Sequence, residues 1–148
     1  MMVQSLGRLI SILYRKNQSY LNEALAPYGL TASEQAVLMY LYKHNEVPQE
    51  EIAQYLQLDK AAVTRTLRTL ITKEFVTKQK DTVDKRCNLV SITAKGGEIR
   101  QIIIEKLEEW NQFLLEDFDE EQQQFIYDSL LEIVEKVEEY EGEKNGRK

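Results

Sequence analysis

Apolar residues recur at intervals of three and four along most of the chain, and strand-like runs rich in β-branched residues interrupt this rhythm once, between residues 75 and 93. Leu6, Leu9, Ile10, Leu13, Tyr14, Tyr20, Leu21 and Leu25 fall largely on one side of a helix predicted over residues 3–26, which Pro27-Tyr28-Gly29 ends. Its middle is expected to pack into the core. Thr31, with Glu34 three residues on, forms a capping box that opens a second helix running to about Lys43. The segment from His44 to Pro48 reads as a short connection, with His44 on the surface. Ile52, Ala53 and Leu56 share one face of a short helix, Gln49–Gln57, whose first turn carries Glu50 and Glu51 where carboxylates suit the helix dipole.

Asp59 is then a plausible N-cap for a helix from Lys60 to about Lys73. Its buried face is Ala62, Val63, Thr66, Leu67, Leu70 and Ile71. Phe75–Lys78 and Asn88–Thr93 read as the two strands of a hairpin around a polar tip, Gln79–Cys87. A long helix follows from Ala94 to about Glu116, broken at Asp117-Phe118-Asp119. Asp119 with Gln122 can cap a last helix to about Glu141, in which Ile126, Leu130, Ile133, Val137 and Tyr140 repeat with a 4-3-4-3 spacing that suits a partner helix. Residues 142–148 are expected to fray.

This order gives a mainly α chain with a small β-hairpin wing: a winged helix-turn-helix flanked by a helical dimerisation region. Residues of about 30–96 form the reader, residues of about 1–27 and 97–141 the helical region, and the whole reads as a single domain. The outer face of the 60–73 helix suits DNA. Arg65 and Arg68 can bind guanine edges in a bidentate way, and Lys60, Thr64, Lys78 and Lys85 suit phosphates. Ala61 and Ala62 are small enough to let the helix approach closely. At the wing, Arg86 can enter a minor groove, with Asp84 holding its guanidinium in one orientation.

The net charge of −6 argues against a nucleic-acid partner until the chain is divided. Residues 59–100 hold 10 basic and 5 acidic side chains, whereas residues 101–148 hold 5 basic and 15 acidic ones. The positive charge is therefore concentrated in the expected reader. A hydrophobic content of 43% with 30% charged residues fits a globular chain. One cysteine excludes an intrachain disulfide, and neither a signal-peptide layout nor a membrane-length apolar run is present, so the expected location is the cytoplasm.

Val63-Thr64-Arg65, Asp84-Lys85-Arg86 and the exit Leu89, Ile92, Thr93 and Gly96, with Leu30–Glu34 upstream, closely resemble the multiple-antibiotic-resistance regulator (MarR) family of bacterial transcription factors. The resemblance covers essentially the whole chain. It implies a homodimer on a pseudo-palindromic double-stranded operator, acting as a repressor that a small aromatic or phenolic effector releases. It implies that the first turns of helix one, with Leu6, join Phe118, Ile126, Leu130, Ile133 and Val137 in the dimer interface. Tyr14, Arg15 and Tyr40 are the candidate effector contacts. Two positions depart from the family, which often has glycine where Gln57 and Glu74 stand. A left-handed backbone at either would cost on the order of 1 kcal/mol.

Catalytic chemistry has little to work with. One histidine and one cysteine cannot supply a nucleophile set or a zinc site, no glycine-rich phosphate loop exists, and no cofactor or metal is expected. The protein does not read as an enzyme. Lys85 and Arg86 would favour the thiolate of Cys87, which makes a redox-sensing regulator one alternative. The family's peroxide sensors carry their reactive cysteine in the first helix, where this chain has none. The other alternative is a helical dimer that acts through protein contacts.

Overall fold

The computed structural model describes residues 4–146. Helix α1 (Leu6–Leu25) starts at Ser5, whose side chain accepts from the Arg8 N–H, and passes through a 3-10 turn (Ala26–Tyr28) to Gly29 at φ 75°. Helix α2 (Ala32–Lys43) has the expected capping box at Thr31 and Glu34. Strand β1 (Val47–Pro48) leads into α3 (Gln49–Leu56), and α4 (Lys60–Thr72) follows from its cap at Asp59. Strands β2 (Val76–Lys80) and β3 (Asn88–Ile92) form the wing. Thr93 caps α5 (Ala94–Glu98), one turn residue at Ile99 separates it from α6 (Arg100–Leu115), and α7 is Glu120–Gly146. At the last junction Asp119 and Gln122 satisfy each other's backbone N–H groups at 2.9 and 2.8 Å, as their spacing predicts.

The chain divides into two compact units, one ending at Leu107 and the other beginning at Glu108. The core of the first is built from Leu25, Leu38, Leu41, Ile52, Val63, Leu67, Leu70, Val90 and Ile103, all fully enclosed. Val63, Leu67 and Leu70 are spaced by four and three, so a single stripe of α4 is buried and the opposite face is left for other work. In the second unit Phe118, Phe125, Leu130, Ile133 and Val137 are exposed, as are Leu6, Leu9, Ile10, Leu13 and Tyr14 of the first.

Five expectations need correction. The long helix expected from Ala94 is interrupted at Ile99. The middle of α1 is not fully packed: only Leu21 and Leu25 are buried, Tyr20 packs half-buried against the core, and Leu9, Ile10, Leu13 and Tyr14 are exposed. The wing is three-stranded, with order β1-β3-β2, because Val47 and Pro48 pair with Val90 and Leu89 inside the stretch expected to be a connection. Proline is tolerated there because an edge strand needs no donor on its outer side. Strand β2 continues through Gln79 and Lys80, opposite Leu89 and Asn88, so the tip is shorter than its polarity suggests. Helix α7 also runs on to Gly146, past the expected fraying point, leaving only residues 147–148 of that tail outside the described ones.

Gln57 and Glu74 both adopt left-handed backbone, at φ 57° and 66°. Glu46, at φ 60°, is a third such residue with no signal in the sequence. Gly96 is needed for close approach: a side chain there would run into the carbonyl oxygen of Phe75. That carbonyl accepts the Thr93 N–H at 3.1 Å, and the Thr93 hydroxyl is shared between it, at 3.1 Å, and the Glu74 carbonyl at 2.7 Å. The Thr-x-x-Gly exit of the wing is thus a packing requirement.

Candidate nucleic-acid interface

The Asp59 carboxylate takes the Ala62 N–H at 2.7 Å and so fixes the first turn of α4. From that start the helix presents Lys60, Ala61, Arg65, Arg68 and Thr69 as exposed residues, with Ala62 and Thr64 half-buried beside them. Lys60 makes a 3.4 Å ion pair with Glu50 while both remain largely in solvent, so it is free to exchange that partner for another anion.

Thr64 is more constrained than a phosphate donor in waiting. Its hydroxyl donates to the Lys60 carbonyl and accepts from the Gln49 amide, each at 2.8 Å. Gln49 in turn accepts from Lys78 of β2 at 3.5 Å. Gln49 therefore ties the wing to α4, a role its sequence position at the start of α3 does not signal. A cleft of about 170 Å³ lies along this junction, between Pro48, Gln49, Thr64, Arg86 and Cys87.

At the wing tip Asp84 Oδ1 accepts from both the backbone N–H and Nε of Arg86, at 3.1 and 3.2 Å. These bonds hold the Asp84 carboxyl below its usual range. Lys85 and Arg86 are exposed just before β3, and the guanidinium is oriented as the spacing predicts. Cys87 departs from expectation. Its Sγ–H donates to Asp84 Oδ2 at 3.5 Å, and that hydrogen bond to a carboxylate pushes the thiol pKa up, not down. The neighbouring cations do not win because Asp84 touches the sulfur, and Arg86 is itself paired with that carboxylate.

The candidate effector residues are not brought to one place among the described contacts. Tyr14 and Arg15 are exposed on α1. Tyr40 is buried, and its hydroxyl donates to Glu51 at 2.5 Å, an interaction that, with burial, raises its pKa to about 12. Tyr40 also lies in a tilted stack with Tyr55 and His44, at 4.5 and 4.7 Å between ring centroids. It lines a groove of about 310 Å³ with Gln35, Met39, Lys43 and Leu107. Among the described residues no group of histidine, cysteine and acidic side chains is placed to hold a metal ion.

The MarR family profile matches residues 30–88, the span from the start of α2 to the start of β3. A MarR transcriptional regulator from Methanosarcina mazei Go1 has the same fold, with a TM-score of 0.86 at 31% identity over 90% of this chain and 96% of that one. The chain belongs to the MarR family. Members of that family are transcription regulators and not enzymes. The multiple antibiotic resistance protein MarR of Escherichia coli K12 is 35% identical over 94 residues, which is 64% of this chain and 65% of that protein. This MarR-family chain thus aligns with just under two thirds of that relative's length. A mutant MarR from E. coli, crystallised with operator DNA, matches at 29% identity and a TM-score of 0.77, over 87% of this chain and 92% of that one.

Proposed function

We propose that this MarR-family protein is a homodimeric, sequence-specific reader of double-stranded DNA that acts as a transcriptional repressor. The observation that carries the reading is the division of α4 into a buried stripe of Val63, Leu67 and Leu70 and an exposed face of Lys60, Arg65 and Arg68, beside a wing whose Arg86 is held by Asp84. A helix fits the major groove, and its N-terminal turns go deepest. Arg65, one and a half turns in, is the base reader, with Arg68 behind it. Lys60, Lys78 and Lys85 meet phosphates, and Arg86 follows the adjacent minor groove.

A second copy of the chain covers the apolar faces of α1 and α7. Leu6, Phe118, Leu130, Ile133 and Val137 are otherwise left in water, and Ile126 is only half-buried. Two-fold symmetry then sets two recognition helices about 34–36 Å apart, one DNA turn, on a pseudo-palindromic site in the cytoplasm. Release comes from a small aromatic or phenolic effector that favours a spacing unsuited to DNA. Of the candidate contacts only Tyr40 lines a groove, and that largely apolar groove is what supports an aromatic ligand.

The test is Arg65→Ala. It should cost about 1–3 kcal/mol of affinity at the cognate site and leave the fold intact. Unchanged affinity would remove Arg65 from base readout.

A further inference from the structure

Glu34 is 2% exposed, and it is the one charged side chain among the buried residues described. Its place in the α2 capping box explains only one of its bonds, the Thr31 N–H to Oε1 at 2.9 Å. The other two come from the recognition helix. Lys73 Nζ donates to Oε1 and Thr69 Oγ1 donates to Oε2, both at 2.7 Å. Thr69 and Lys73 are four residues apart, so one carboxylate grips two successive turns of α4. Burial pushes the Glu34 carboxyl up, but the bonds from Lys73, Thr69 and Thr31 and the charge of Lys73 outweigh it and hold it ionised.

The same corner is fastened on both sides. Asn22 Oδ1 of α1 accepts from the Ala32 N–H at 2.7 Å, one residue after Thr31. Lys95 Nζ donates to the Lys73 carbonyl at 2.7 Å, a cation at the negative end of the α4 dipole. Apolar contact along Val63, Leu67 and Leu70 permits small rotations and slides, whereas short charged hydrogen bonds fix direction. Arg65 sits on the same helix one turn before Thr69, and Arg68 immediately precedes it.

We propose that Glu34 is a positioning residue for DNA readout: from the first turn of α2 it fixes the C-terminal half of α4, through Thr69 and Lys73, in the orientation that aims Arg65 and Arg68. This rests on the reading of α4 as the recognition helix. Glu34 touches no DNA. Its loss changes how well the helix discriminates among sequences, more than how strongly the basic surface attracts any duplex.

The experiment uses full-length protein and two labelled duplexes: one selected from a random pool by the wild-type protein, the other a scramble of equal composition. Affinities for both are measured by anisotropy well below the thermal midpoint of each variant. Glu34→Gln keeps the shape and the Thr31 contact but removes the charge that holds Lys73. It should lower the ratio of specific to non-specific affinity about tenfold while non-specific binding stays at the wild-type level. Thr69→Val, a milder change at an exposed position, should lower the ratio by a smaller factor and serves where Glu34→Gln does not fold. A wild-type ratio in folded Glu34→Gln and Thr69→Val overturns the proposal. Equal losses on both duplexes also overturn it, because they would mean simple destabilisation. A wild-type protein with no preference between the duplexes overturns the DNA-reading conclusion itself, and this proposal with it.

Discussion

Asp84 Oδ1 accepts from Arg86 twice, through the backbone N–H and through Nε, while Asp84 Oδ2 accepts from Cys87. One carboxylate thus sets both the turn of the wing tip and the direction of its arginine. The pair is exposed, so its contribution to stability is small. Its value lies in presenting a guanidinium that is already oriented. Arg86→Ala should weaken DNA binding several-fold, and Asp84→Ala should weaken it to a smaller degree, with thermal midpoints unchanged in both. Wild-type affinity in Arg86→Ala would remove the wing from the interface.

Gly96 has no room for a methyl group against the Phe75 carbonyl, and moving that carbonyl would disturb its hydrogen bond from the Thr93 N–H. Gly96→Ala should therefore destabilise the protein by about 1–3 kcal/mol. Urea unfolding measures this directly, and a loss under a few tenths of a kcal/mol would show that the wing exit relaxes freely.

Glu74 stands at φ 66°, where a side chain costs on the order of 1 kcal/mol and glycine costs nothing. Glu74→Gly should raise stability, by up to about 1 kcal/mol less the extra freedom that glycine gives the unfolded chain. A clear decrease would mean that the Glu74 side chain contributes more than its backbone strain costs.

Acid should attack the Glu34 grip. Its folded pKa lies below the ordinary glutamate value, so the folded state binds its proton less readily than the unfolded one. The stabilisation is complete above the unfolded pKa and is lost as pH falls through the folded one. Glu34→Gln should therefore flatten the part of the stability–pH curve that lies below the ordinary glutamate value. An acid limb identical to the wild type's would show that Glu34 is not responsible for it.

Most of the fold was legible because its signals are local. Thr31 with Glu34, Asp59 before Lys60, and Asp119 with Gln122 each announce a helix start within four residues, and the structure has all three caps. The outward set of α4 followed from the spacing of Val63, Leu67 and Leu70. What escaped depends on partners distant in the chain. A strand of two residues, Val47–Pro48, has no periodicity of its own and exists only because β3 offers an open edge. Gln79 and Lys80 look like part of a loop tip, but ladder bonds need no apolar side chains. Gln49 reads as an ordinary first residue of a helix until Thr64 and Lys78 are seen against it. Glu34 was hidden by its own success as a cap: the local role accounted for it, and its partners lie 35 and 39 residues away. For Cys87, counting neighbouring charges gave the wrong sign because contact with Asp84 outweighs proximity to two solvated cations.

The most direct test of the central claim is anisotropy of the wild-type protein on a duplex it has itself selected and on a scramble of that duplex, across a series of salt concentrations. A reader built on α4 and the wing should prefer the selected duplex, bind it with two subunits per site, and lose affinity steeply as salt rises. Weak and equal binding to both duplexes, or no binding at low salt, would contradict the account and point to a helical dimer that acts through protein contacts.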